Sequence, residues 1–127
     1  MELNIDCVRD ILMVCEDTPF LSEDLEWEPF VLNYFVDKLP KYPKVQIAYT
    51  ICLLGDAGYL LISKQSADNR LNNLLVSRLT YNGHELLGSI KPEKVWNKVL
   101  KAIDGISDVS LPILQAIASE ICLKLLS

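Results

Sequence analysis

Apolar residues recur at helical spacing over residues 4–16. Ile5, Val8, Ile11, Leu12 and Cys15 form one stripe, with Asp6, Arg9, Asp10 and Glu16 largely outside it. Asn4 stands where an N-cap belongs, so the chain opens with a helix. Residues 17–43 lose this period. The acidic run SEDLEWEPF is aperiodic, and Pro19, Pro29, Pro40 and Pro43 interrupt any long helix. A short strand near Glu26–Leu32 and a turn of helix near Asn33–Lys38 fit this part of the pattern.

From Pro43 the pattern clears. PKVQIAYTICLLGDAG predicts a helix over 43–57, with Ile47, Ala48, Ile51 and Leu54 on one face and Gly58 closing it. Gln46, Thr50 and Asp56 are then its exposed polar positions. YLLIS (59–63) and LLVSRLT (74–80) read as β-strands, joined by the polar loop KQSADNRLNN. Thr80 caps the next helix, TYNGHELLGSI, in which Gly83 lets the backbone approach a neighbour closely.

Two more helices follow. KPEKVWNKVLKAID (91–104) places Val95, Trp96, Val99 and Ile103 on one side and a stripe of Lys91, Lys94, Lys98 and Lys101 on the other. The last, 110–127, starts at Ser110 with Pro112 in its first turn. Its apolar positions, Ile113, Leu114, Ile117, Ala118, Ile121, Cys122, Leu125 and Leu126, cover more than half its circumference. Helices that apolar bury two sides, in a core or against a partner.

Helix, short strand, helix, two-stranded hairpin and further helices is the order of a winged helix. The expected class is therefore α+β, mainly α, with a winged-helix-like core, a β-hairpin wing and a C-terminal helical extension. A chain of 127 residues accommodates one such domain, 1–127, with 91–127 as its C-terminal helical pair.

Composition narrows the setting. The N-terminus MELNIDCVRD lacks the basic start and apolar run of a signal peptide, and no stretch approaches the roughly 18 apolar residues of a membrane span. A cytoplasmic protein with no membrane contact is expected. Cys7, Cys15, Cys52 and Cys122 are scattered without a Cys-x-x-Cys pair, which favours buried free thiols over disulfides or zinc ligation. The net charge of −5 is unevenly spread: residues 1–37 hold ten acids against Arg9 alone, while 38–101 hold ten bases against four acids. Either one segment is a charged binding face or the two neutralise each other on folding.

Candidate chemistry is sparse. His84 is the single histidine, with no cysteine near it to complete a nucleophilic pair, and is expected to cap or pack. There is no phosphate loop, nucleophile elbow or metal-ligand cluster, so no enzyme, cofactor or metal is implied. Two binding readings stand. The leading one is protein–protein interaction, through Glu23, Asp24, Glu26, Trp27, Glu28 and Phe30 of the acidic segment and Ile113, Ile117, Ile121 and Leu125 of the terminal helix. The terminal helix could equally form a homo-oligomer. The alternative is a DNA-binding transcriptional regulator using the 43–57 helix, the 59–80 wing and the 91–101 stripe. Its phosphate or base contacts would be Lys41, Lys44, Gln46, Lys64, Arg70, Arg78, Lys91, Lys94, Lys98 and Lys101.

The chain also resembles a known family. Asp6-Cys7-Val8-Arg9-Asp10-Ile11-Leu12, Ile47-Ala48-Tyr49, Leu53-Leu54-Gly55-Asp56-Ala57-Gly58, Arg78-Leu79-Thr80-Tyr81-Asn82-Gly83-His84-Glu85 and Val95-Trp96-Asn97-Lys98 occur in the order and spacing of the bacterial and prophage-borne domain of unknown function 2513. Thr50, Gly58-Tyr59 and Gly88 depart from that pattern, and residues 17–43 are longer and more acidic than usual for it. The resemblance implies a winged-helix-like fold and a phage or prophage setting, hence a host-cell cytoplasm. It transfers no catalytic residue. The expected role is a non-catalytic regulator or inhibitor of a host or phage protein.

Overall fold

A computed structural model describes residues 1–106 and 109–126. Helix α1 (Ile5–Asp17) starts where Asn4 accepts a hydrogen bond from the Cys7 N–H, and it buries Cys7, Val8, Ile11, Leu12 and Cys15. The pattern of residues 17–43 resolves into β1 (Phe30–Val31) and α2 (Leu32–Lys38). The expected strand over 26–32 thus shrinks to two residues. Ahead of it, residues 20–28 fold back on themselves through a bridge between Leu21 and Trp27.

Helix α3 (Lys44–Asp56) follows Pro43, and Gly58 adopts φ 85° just past its end, the left-handed turn that glycine permits. Strands β2 (Leu60–Ala67) and β3 (Arg70–Leu79) form a long hairpin, giving an antiparallel sheet in the order β1-β3-β2. Phe30 lies opposite Val76, and Leu60 opposite Leu79. The polar segment 64–73 is therefore strand rather than loop. Only Asp68 and Asn69, at φ 54° and 61°, make the turn. Two positive φ values in a two-residue connection match the right-handed twist of the flanking strands. Residues 63–73 are exposed on both faces, so no alternation of polar and apolar side chains marks them in the sequence.

Helices α4 (Tyr81–Ile90), α5 (Glu93–Ala102) and α6 (Leu111–Leu126) complete the chain. One core runs through all of them. It joins Ile11 and Leu12 of α1 to Phe35, Ile47, Ile51 and Leu54, then to Val76, Leu86, Leu87, Val99 and Leu114. The expected inward faces of α3 and α5 are realised at Ile47, Ile51, Leu54, Val95, Trp96, Val99 and Ile103. Ser110 accepts a bond from the Ile113 N–H, as an N-cap should. Ser127, the expected last residue of that helix, lies outside the described residues.

The junction between hairpin and α4 depends on glycine. Thr80 Oγ1 accepts from the Gly83 N–H at 3.1 Å and donates to the Gly58 carbonyl at 2.7 Å. A Cβ at Gly83 would stand 2.1 Å from the Tyr59 carbonyl oxygen. Only glycine lets α4 sit this close to the start of β2.

Candidate functional site

In the arrangement described, α3 is held by its inner face and presents its outer face. Val45 is 60% exposed and Tyr49 36%, with Ala48, Cys52 and Leu53 half-buried between them. Met1 and Leu71 of the hairpin join this surface, and it continues into a groove of about 500 Å³. That groove runs past Met1, Leu3, Tyr49 and Leu53 to Val109, Leu111 and Pro112 at the start of α6. Its charged lining residues are Glu2 and Asp56, whereas Lys44, exposed on the first turn of the helix, lines a separate pocket with Leu32, Leu71 and Asn72.

Two expected polar contacts turn inward. Thr50 was expected on the exposed side but is fully buried. Its hydroxyl donates to the Gln46 carbonyl at 2.7 Å and lies 3.3 Å from the Gln46 amide nitrogen. Gln46, the candidate base reader, is half-buried and occupied by that contact. A hydroxyl with no other route to satisfy itself in a core bonds back to the preceding turn, which is why the polar side chain is tolerated there. Asp56 is exposed as expected and pairs with Lys64 of β2 at 3.6 Å.

The candidate phosphate contacts are scattered. Lys41 pairs with Asp10 at 3.0 Å, and Asp10 also accepts from the Tyr42 hydroxyl at 2.6 Å. Burial and that bond both push the Tyr42 pKa up. Lys91 belongs to the end of α4, not to α5, so the expected four-lysine stripe loses its first member. Lys91 pairs with Glu16, which raises the lysine pKa by hydrogen bond and charge together. Lys94, Lys98 and Lys101 remain exposed on α5. Arg70 is exposed beside the hairpin turn, while Arg78 is half-buried and donates to the Leu79 carbonyl at 3.4 Å. Neutralisation between the acidic first third and the basic middle is thus local, at Asp10 and Glu16.

The candidate interface residues divide in the same way. Glu23, Asp24, Glu26, Trp27 and Glu28 are exposed on the folded-back segment. Phe30 turns inward instead, packing edge-on against Phe20 at 5.5 Å and tilted against Tyr34 at 4.6 Å. On α6, Ile113 and Leu125 are exposed, whereas Ile117 and Ile121 are half-buried against the core.

His84 is exposed on the rim of a groove shared with Trp27, Arg78 and Tyr81. Its backbone N–H closes the first turn of α4 on Thr80, but its ring is not packed as expected. Among the described residues, no cluster of His, Cys, Asp and Glu could hold a metal. All four cysteines are free: Cys7 and Cys15 are buried, Cys52 and Cys122 half-buried. Burial pushes the Cys15 thiol up to about 12, which suppresses the thiolate. No helix among the described residues is long and apolar enough to cross a membrane.

One contact was not legible from periodicity. Arg9, on the polar side of α1, donates through Nε to the Ile90 carbonyl at 2.9 Å and through Nη2 to that of Lys91. Its guanidinium also stacks over Trp96 at 5.4 Å. It caps the end of α4 and ties α1 to both later helices. The single base among ten acids in the first third was the available signal.

Comparison with known proteins places these features in a family. An uncharacterised protein of Haemophilus influenzae is 28% identical over 128 residues, covering the whole of both chains. No solved structure matches the chain. The family model described as "Hypothetical protein (DUF2513)" matches residues 2–107, a stretch that includes α1 to α5, and the chain belongs to that family.

Proposed function

We propose that this chain is a non-catalytic, winged-helix-like protein that acts by binding another protein on the outer face of α3. The fold reading is supported by connectivity: helix, short strand, two helices and a hairpin, with the first strand beside the last in the sheet. In such a fold the helix before the hairpin is the one that DNA-binding relatives lay in the major groove. The observation that carries the protein-binding reading is the chemistry of that face. Val45, Ala48, Tyr49, Cys52 and Leu53 offer apolar area and no base-reading fork, and Gln46 is turned away. A surface of this kind suits the apolar stripe of a partner helix or extended segment. In a phage or prophage setting the protein would act in the bacterial cytoplasm as a regulator or inhibitor of a host or phage protein.

DNA binding is the second reading, favoured by the fully exposed hairpin end with Lys64 and Arg70 and by Lys94, Lys98 and Lys101 on α5. Affinity capture from a lysate of cells carrying this chain separates the two. The protein-binding reading expects a stoichiometric partner that is lost with Val45→Glu plus Tyr49→Gln and kept with Lys94, Lys98 and Lys101 changed to Gln. The opposite pattern overturns it.

A further inference from the structure

Two surfaces lie outside the α3 face, and they complement each other. The first is the folded-back segment 20–28. The Glu28 N–H donates to the Phe20 carbonyl at 2.8 Å, the Ser22 N–H to the Glu26 carbonyl at 2.9 Å, and the Glu26 N–H to Ser22 Oγ at 3.1 Å. At its tip, Leu25 has φ 66° and is 77% exposed. A leucine in the left-handed region is strained, and glycine or asparagine would relieve most of that strain. Glu23, Asp24, Glu26 and Glu28 surround it, and none belongs to an ion pair among the described residues. Trp27, 61% exposed, stands beside it.

The second surface is a groove of about 590 Å³ between α5 and α6. Ala102, Ile121 and Leu125 form its floor, and Lys98 and Lys101 stand on its α5 rim. On the α6 side Lys124 pairs with Glu120 at 3.2 Å. The floor is apolar and the α5 rim is positive.

The geometry points to self-association in which the acidic hairpin tip of one copy docks in the α5–α6 groove of a second copy. Leu25 fills the apolar floor, while the carboxylates around it meet Lys98 and Lys101. A second copy is the fitting occupant because this chain carries both halves, matched in sign and in apolar content. Within one copy the tip does not fill the groove. Leu21 and Trp27 lie along Arg78, Tyr81 and His84, whereas the α5–α6 groove is lined, among the described residues, by those two helices. At a net charge of −5, copies repel one another at long range. Association therefore depends on the oriented meeting of unlike charges. The contact is heterologous, so it either closes reciprocally between two copies or continues as a chain. A tip of this size belongs with the weak interfaces below about 1,200 Å².

Sedimentation equilibrium of the full chain, from low micromolar to about 1 mM, tests this. Association is expected to weaken at least about tenfold between about 0.05 and 0.5 M NaCl, because exposed charges are screened. Two variants then separate the halves. Leu25→Asn removes the apolar anchor and suits the left-handed turn, so the fold is retained. Lys98→Glu with Lys101→Glu reverses the rim at two exposed positions. Each variant alone is expected to be monomeric over the same range. Mixed, they should form a dimer, since one still supplies an intact tip and the other an intact groove. A wild-type protein that stays monomeric at about 1 mM overturns the proposal. So does association that survives in either variant alone, or a mixture of the two that remains monomeric.

Discussion

Gly83→Ala tests the junction on which the placement of α4 rests. In an unhindered helix this change stabilises by about 1 kcal/mol, because alanine is the better helix former. Here the new Cβ would meet the Tyr59 carbonyl oxygen at 2.1 Å and Leu79 Cδ1 at 2.6 Å. The leucine can rotate, but the carbonyl is backbone. Reaching ordinary contact at 3.4 Å requires α4 to move away by more than about 1 Å. That movement breaks the Thr80 N–H bond to the Tyr59 carbonyl, now 3.2 Å, and stretches the Thr80 hydroxyl bond to Gly58, now 2.7 Å. Each is worth about 1 kcal/mol, and the overpacking itself costs roughly 1–3 kcal/mol. Set against the propensity gain, the net loss is about 2–4 kcal/mol. For a chain of this size that lowers Tm by roughly 8–16 °C. Gly88→Ala is the internal control. It lies in the same helix with nothing within 4 Å of its Cβ, and should stabilise by about 0.5–1 kcal/mol. Urea unfolding followed by circular dichroism measures both. If Gly83→Ala equals or exceeds the wild type while Gly88→Ala behaves as expected, the close approach does not hold the junction.

Three further outcomes follow from particular contacts. Arg9→Ala should cost about 2–3 kcal/mol in urea unfolding, since two carbonyl bonds and the stack on Trp96 are lost together. Arg9→Lys should recover less than half, because an ammonium cannot reproduce the planar fork; full recovery refutes the capping role. At alkaline pH, Cys15 supports folding in its neutral form. The raised folded-state pKa means that this stability is present below pH 9.0 and is lost as pH rises towards about 12. Cys15→Ala should therefore flatten the decline of stability between those values, and an unchanged slope contradicts the burial argument. Asn69→Gly should stabilise the end of the hairpin by about 0.5–1 kcal/mol, because φ 61° suits glycine better. Slower amide exchange confined to residues 64–73 would report it.

Where side chains alternate between core and solvent, the sequence announced the element. The stripe of Ile5, Val8, Ile11 and Leu12 and that of Val95, Trp96, Val99 and Ile103 mark helices directly, and Thr80 marks the start of another. The outer hairpin was missed because residues 63–73 are exposed on both faces, leaving only backbone pairing to hold them. The fold-back at 20–28 combines a bridge between Leu21 and Trp27, turn bonds to Ser22 and a leucine in the left-handed region, and neither the bridge nor the leucine has a compositional signature. Thr50 was misread because a threonine on a helix is ordinarily polar surface, and its bonds to the Gln46 carbonyl and side-chain amide let it stay inside. The lysine stripe broke because Pro92 ends one helix and begins another between Lys91 and Lys94. The apolar outer face of α3 was legible as residues but not as a surface. Val45 and Tyr49 lie off the inward face of Ile47, Ala48, Ile51 and Leu54, and periodicity alone does not say that the hairpin and α6 leave them uncovered.

The central claim is that the helix before the hairpin meets protein and not DNA. Fluorescence anisotropy against mixed-sequence duplex DNA, at about 50 and 200 mM salt, tests it most directly. The account predicts no salt-sensitive binding at either concentration. Binding that falls by orders of magnitude between the two salts, and disappears when Lys94, Lys98 and Lys101 are changed to Gln, would contradict it.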